Sequence, residues 1–427
     1  MTAGSAGVEL VGDERVMAGP YRVAHAAAWC VGRVTAAAGE LLRERGTDPG
    51  PVSVDVRHAA EAFRSERHLR VDGAFPGEMW APLSGDYRAA DGWVRLHCNY
   101  PHHEAAVRTA LGDDVAGEVA TLPAAVVVAA VLAAGGAAAA LRSPGDWRAH
   151  PQGAAVAAEP LVSVERIGDG PARPLPRADR PLAGVRVLEL THVIAGPVCG
   201  RTLAAHGADV LHVGAAHLPA VPAAVIDTGF GKRTCHLDLR SPEGRSALSG
   251  LLADADVMVQ SFRPDSLPGK GFGSNDLPPG KILVSLSAYG HSGPWRTRRG
   301  FDSLVQLATG IAHRDGVDQP VPLPAQALDH GTGWLAAYGV LTALRRRAAA
   351  GGTWHVRVSL ARTAHWLDRL GRVESAEHGK PVDAYLSQMD SPFGTVRHVR
   401  FPGTLPGSPP RWDHGPRTPG GDPPAWW

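Results

Sequence analysis

PLAGVRVLELTHVIAGPVCGRTLAAHGADVLHV, residues 181–213, is the stretch that decides the fold. GVRVLEL (184–190) is a short apolar run without alternation, the mark of a strand covered on both faces. THVIAGPVCGRTLAAHG (191–207) follows as a loop and then a helix stopped at Gly207, and ADVLHV (208–213) is a second buried strand. The same rhythm continues with a helix over 244–255, a strand over 256–262 and another over 282–290. Buried strands alternating with helices predict an α/β fold with a doubly wound, parallel, Rossmann-like sheet. Such sheets bind ligands beyond the carboxyl ends of their strands, so the loops 191–197, 213–217, 260–265 and 287–294 become the candidate site.

Working outward, residues 301–316 predict a helix with a glycine stop, 323–347 a turn and long helix, and 355–360 a strand. The Pro-, Gly- and Trp-dense stretch 402–427 predicts an extended surface tail. Toward the N-terminus, 21–45 and 57–64 predict helices, 52–56 a strand, and 82–100 a hairpin turning at Ala90-Asp91-Gly92. Helices follow over 103–112 and 122–142, the latter broken at Gly135-Gly136, and Ser143 caps a short helix opened by Pro144. Leu122 to Leu141 is uncharged and long enough for a membrane span, but it is mostly alanine, starts at Pro123 and carries the glycine pair, so two short buried helices are expected. The implied organisation is an N-terminal helical segment (1–65), a small α+β domain (66–158), a Pro- and Arg-rich linker (159–181), the Rossmann-like domain (182–370) and an extended tail (371–427). A weak internal repeat relates helix 26–45 and VSVDVRHAAEAF (52–63) to helix 329–347 and VRVSLARTAHWL (356–367), with Ala27 opposite Asp329.

Composition excludes several classes. With 43 Lys+Arg against 42 Asp+Glu the net charge is +1, which gives no basic face for nucleic acid. At 44% apolar residues the 427-residue chain has ample core material. Cys30, Cys98, Cys199 and Cys235 are scattered without a CxxC pair, which excludes a disulfide scaffold and fits a reducing cytoplasm. No signal peptide is expected, because residues 1–20 mix acids and glycines before any apolar run.

No GxSxG elbow is present, and GFGKRT (229–234) lacks the first glycine of a P-loop, with Ile226 in its place. HCNYPHHE (97–104) does not have zinc spacing and is expected to be a solvated loop. Asp329 precedes Gly331-Thr332-Gly333 and a helix, so its plain reading is a helix N-cap. Its functional reading is a carboxylate kept ionised by the helix dipole, open to substrate beside glycines, and able to act as a nucleophile.

These pieces resemble a known family. PLAGVRVLELTHVIAGP with LAAHGADVLHV, then GFGKRTCHLDLRSPEG, ADVMVQSFRPDSL, SLSAYGHSGP, RGFDSLVQLATG and ALDHGTGWLAAYGVLTALRRR, in this order over about 181–365, resemble the family III CoA-transferases, a superfamily that includes the formyl-CoA and carnitine CoA-transferases and the α-methylacyl-CoA racemases. The 82–100 hairpin resembles the family's small domain, which there follows the large one; its place here, with the repeat, implies a permuted or partly duplicated chain. The resemblance implies an acyl-CoA:carboxylate CoA-transferase in which Asp329 attacks the thioester and passes through a mixed anhydride and an aspartyl-CoA thioester. It places His192, Val193 and Ile194 beside CoA and the acyl group, and Ser261, Phe262 and Arg263 at the adenosine end. It sets Lys232 in a Gly-Lys-Arg motif and Gly85-Asp86 in a loop over the site. It further implies an interlocked cytoplasmic homodimer, a CoA thioester as substrate, a carboxylic acid acceptor, and no metal, tightly bound cofactor, nucleic acid or membrane partner. The sequence departs from the family where Gly214-Ala215 replace an acid and a phosphate-binding base, and where Asp265 replaces a glycine; Lys232 and Lys270 are the nearby cations that would substitute. A racemase is the alternative within the superfamily, but its Gly-His-Asp motif reads Gly300-Phe301-Asp302, and Phe cannot exchange a proton; with Gln306 this favours transfer. The alternative from a different class is a non-catalytic protein, a CoA-binding or subunit-pairing relative whose site has decayed.

Overall fold

The computed structural model describes residues 7–264, 266–374 and 381–427; Asp265 lies outside the described residues. Seven strands form the central sheet: β1 (Ser163–Gly168), β2 (Arg186–Leu190), β3 (Asp209–Gly214), β4 (Lys232–His236), β5 (Val257–Gln260), β6 (Ile282–Ser287) and β7 (Thr353–Ser359). Their order is β4-β3-β2-β5-β6-β7-β1, parallel except for β1, which runs antiparallel to β7. The chain winds outward from β2 to β3 and β4, then returns to place β5 on the other side of β2. The switch point therefore lies between the carboxyl ends of β2 and β5, where a crevice opens. Strands β2, β5 and β6 are buried because Val187, Leu188, Val257, Met258, Ile282 and Val284 fill both faces, as the continuous apolar runs predict.

Five helices matter for the site: α1 (Val23–Glu44), α2 (Ala195–Ala205), α3 (Asp302–Ala308), α4 (Ala327–Ala350) and α5 (Leu360–Arg369). Helix α4 packs against both α1 and α2. The approach to α2 is close: a Cβ on Gly333 would lie 2.4 Å from the Ala195 carbonyl and 2.8 Å from Val198 Cβ. Before α1 runs the strand Val8–Val11, which pairs in parallel with Val52–Asp55, and Gly403–Thr404 adds an antiparallel third strand.

A smaller unit has its own apolar core around Val94, Leu96, Val107, Val119 and Val127. It holds the expected hairpin, Gly85–Ala89 with Gly92–Leu96, plus helices Pro101–Leu111, Val115–Thr121 and Ala124–Ala133. The second helix expected before Leu141 is instead a strand, Ala138–Ala140, paired with Gly92–Leu96: Gly135 at φ 88° turns the chain back toward the hairpin edge. No helix among the described residues is long and apolar enough to cross a membrane.

Two further expectations are corrected. The 159–181 linker contributes β1, an edge strand whose residues are half-buried or exposed, so no apolar alternation marks it. The stretch 371–427 is more than an extended tail, since Leu386–Ser391 and Gly394–Val399 form a hairpin completed by Arg70–Val71. Beyond it the chain runs along β4: Asp422 N–H donates to the Thr234 carbonyl (2.8 Å), and Thr234 N–H donates to Asp422 Oδ2 (2.9 Å). The Arg233 guanidinium, paired with Asp209 at 2.7 Å, lies 4.4 Å from the Trp427 ring centre. This segment covers an edge that would otherwise present open backbone groups.

Candidate active site

The central carboxylate is built by two helix starts. Asp329 lies in the first turn of α4, with Gln326 as the N-cap residue, so it is not itself the N-cap. The cap is supplied from α3: Asp302 Oδ2 accepts the backbone N–H of Leu328 (2.8 Å) and of Asp329 (2.9 Å). Asp302 Oδ1 accepts Gln306 Nε2 at 2.5 Å, and Gln306 Oε1 accepts Leu323 N–H at 2.8 Å, so Gln306 ties the loop before α4 to α3. The side chain of Asp329, 6% exposed, accepts no hydrogen bond among the described residues.

That environment reverses one expectation. The dipole of α4 should keep Asp329 ionised, but burial, then the charges of Asp302 and Glu66, push its carboxyl well above the ordinary range. Burial also pushes Asp302 up, to about 6, against the hydrogen bonds that favour its charge. Burial pushes Glu66 the same way, but the bond to His330, the His330 charge, a backbone hydrogen bond and the Arg67 charge together outweigh it, and its carboxyl ends below the ordinary range. His330 Nε2 lies 3.1 Å from Glu66 Oε2, and the Phe63 ring stacks on the imidazole at 5.7 Å. The segment carrying Phe63 and Glu66 is fixed by further buried pairs, Arg64 to Glu61 at 2.7 Å and Ser65 Oγ to Asp227 Oδ2 at 2.7 Å.

Asp329 faces a cavity of about 530 Å³ at the switch point. The sequence-predicted residues divide around it. His192, Val193, Ser261, Phe262 and Arg263 line the cavity with Asp329. Val193 takes φ 68°, a left-handed conformation that is costly for a β-branched residue, where the chain leaves β2 for α2. The His192 ring meets Phe262 edge-on at 5.7 Å, and burial pushes its imidazole down to about 4, so it is neutral. Ile194 turns into the core instead, 4% exposed. Lys270 is exposed and outside the lining. Lys232 lines a second cavity of about 180 Å³, where its Nζ lies 2.7 Å from Glu189 Oε2 and donates to the Pro197 carbonyl at 2.7 Å. A 4%-exposed ammonium so engaged is not the free phosphate cation expected to replace the missing base. Gly85 and Asp86 begin a hairpin strand, with Asp86 paired to Arg95 at 2.9 Å, and line neither cavity.

Other residues supply what those lack. Arg263, Arg296, Arg298, Arg299 and Arg357 line the larger cavity, and Asp329 is the acid among its described lining residues. The arginine run 296–299 was visible in sequence but carried no motif; its meaning comes from the loop that follows β6. The other omission is HCNYPHHE (97–104), expected to be a solvated loop. Tyr100, His102 and His103 line the Asp329 cavity, and His97 stacks on Phe301 at 3.6 Å with rings 1° from parallel. The signal was the density of rings in a short loop, which spacing rules for metals do not score.

Comparison with known proteins finds relatives for this chain. A family model described as CoA-transferase family III matches residues 182–380. An acyl-CoA transferase of Gibberella moniliformis is 28% identical over 75% of this chain and 66% of its own length. An acetyl-coenzyme A transferase of Hypoxylon pulicicidum is 36% identical over 44% of this chain and 34% of its own. The succinyl-CoA–L-malate CoA-transferase beta subunit of Chloroflexus aurantiacus is 34% identical over 42% of this chain and 49% of its own. The chain thus spans between about a third and two thirds of the length of these relatives.

Proposed function

Residues 182–380 match the CoA-transferase family III model, and from that match we propose that this protein moves CoA from an acyl-CoA to a carboxylic acid with Asp329 as covalent nucleophile. The observation that carries the reading is Asp329 itself: a buried carboxylate without a hydrogen-bond partner among the described residues, facing a cavity whose other charged lining groups are arginines. A carboxylate so placed attacks a thioester carbon, forming an acyl–aspartyl anhydride as CoA thiolate leaves. The thiolate then attacks the aspartyl carbonyl, releasing the first acid and leaving an aspartyl-CoA thioester. The acceptor carboxylate reverses both steps, so the thioester bond energy is kept. Arg263 and Arg296, exposed and lining the cavity, are suited to the phosphates of CoA, a task for which Lys232 and Lys270 are badly placed.

Racemization needs a base where Phe301 stands. His97 lies against that ring, but it does not line the cavity, and burial pushes its imidazole down to about 3. That favours transfer. The same proposal includes a homodimer in the cytoplasm, the four buried cysteines remaining thiols. It includes an N-terminal segment derived from the catalytic half: strand, α1, parallel strand and helix Val56–Ala62 follow the order of β6, α4, β7 and α5.

Hydroxylamine treatment with and without acyl-CoA, followed by peptide mass spectrometry, tests the mechanism. A hydroxamate at Asp329 only with acyl-CoA is expected, and full transfer by Asp329→Ala refutes it. A panel of acyl-CoA donors and acids then identifies the substrates.

A further inference from the structure

The transferase reading leaves one requirement unassigned. Each attack on a carbonyl carbon places negative charge on its oxygen, and that charge needs a hydrogen-bond donor already in place. Arg298 and Arg299, which precede Phe301 in the chain, each give one guanidinium nitrogen to a backbone carbonyl of the smaller unit: Arg298 Nη2 to Ala138 at 2.9 Å, and Arg299 Nη1 to Gly135. A cation free to reach Asp329 would also pair with it before reaction. A neutral donor avoids that.

We propose that Tyr100 is a catalytic residue of this site, its phenolic hydroxyl donating a hydrogen bond to the acyl carbonyl oxygen as Asp329 attacks. The proposal rests on the transferase reading. Tyr100 lines both the Asp329 cavity and the smaller one, at their shared wall with His192 and Val193. Its hydroxyl has no hydrogen-bond partner among the described residues, whereas Tyr87 and Tyr385 each have one. The backbone holds it there: Tyr100 precedes Pro101, which bars the helical conformation, and φ −113°, ψ 136° set it just outside the helix Pro101–Leu111. Its ring stacks on His102 at 5.8 Å and meets His103 at 5.5 Å and Phe301 at 6.1 Å. Phe301 adjoins Asp302, which holds the Asp329 amide, so the phenol and the carboxylate are positioned by adjoining groups. Burial, then the Asp329 charge, raise the phenol to about 12, so it is a donor at neutral pH.

In the step, an Asp329 oxygen bonds to the thioester carbon and the carbonyl π pair moves to oxygen, where Tyr100 donates. Collapse breaks the C–S bond, and the pair leaves on CoA sulfur. The phenol keeps its proton throughout.

Tyr100→Phe retains the ring and its packing. Expected is a kcat lowered about 10²–10³-fold, with KM for acyl-CoA within about twofold and an unchanged thermal midpoint. An unchanged kcat overturns the proposal. A second measurement is independent of turnover: the ¹³C shift of the bound ketone analogue of acetyl-CoA in which CH₂ replaces sulfur. A downfield shift in wild type that is lost in Tyr100→Phe supports the bond, and equal shifts in both proteins overturn it. Failure of the transferase reading is a different result: a wild type that transfers CoA from no donor and yields no hydroxamate at Asp329.

Discussion

Asp329 pits charge against surroundings. Its raised pKa means that the folded protein binds this proton more tightly than the unfolded chain does. The associated stability is therefore present at low pH, where the carboxyl is protonated, and is lost as pH rises through the folded pKa. Activity follows the opposite sign, because only the ionised carboxylate attacks. Asp329→Asn, which is neutral at every pH, should then be more stable than wild type at pH 8, by about 1.4 kcal/mol for each unit by which folding raises the Asp329 pKa. Below about pH 4, under the unfolded carboxyl's own pKa, the two should be nearly equal. Thermal melts across this range check it, and a constant difference between the proteins refutes the assignment. Asp329 could be singled out from sequence by its glycine neighbours and family motif. Its environment could not, because Asp302 is 27 residues away and Glu66 lies in another part of the chain.

At the scale of elements, the site depends on how closely α4 approaches α2. Gly333 leaves no room for a Cβ, since the Ala195 carbonyl would be 2.4 Å away. Gly333→Ala must push the helices apart where both border the cavity, at a cost of about 1–3 kcal/mol. A lower thermal midpoint together with a lower kcat is expected, and a midpoint unchanged within error contradicts the packing argument. The buried strands β2, β3, β5 and β6 were legible because both faces of each are apolar, and α1 and α4 because of their length. Strand β1 was not, since an edge strand with exposed residues has no period to read. Strand β4 was hidden in GFGKRT, whose charged Lys232 and Arg233 are buried by pairing with Glu189 and Asp209, partners that no local pattern reveals.

For the whole molecule, the question is what surrounds α4. Helix α1 covers one flank within the same chain, and Arg345 of α4 reaches Glu40 and Glu44 of α1, the latter at 2.6 Å. In the proposed homodimer, the second copy docks on a face other than the one α1 occupies. Light scattering is expected to give twice the mass of one chain; a monomer that retains transfer activity removes the homodimer from the proposal and leaves the site complete within one chain. The contributions of Glu66 and Tyr100 belong to this scale too. They come close to Asp329 only through tertiary folding, so no local pattern in the N-terminal half singles them out.

The cover on β4 sets a clock. The residue that hydrogen-bonds β4, Asp422, lies 188 residues further along the chain from Thr234. At ordinary rates of synthesis that separation is roughly 10–40 s. During that interval the growing chain has made a sheet edge but not its shield. An uncovered edge of this kind is a template for pairing with another strand, so the order of synthesis leaves a window that the finished fold closes.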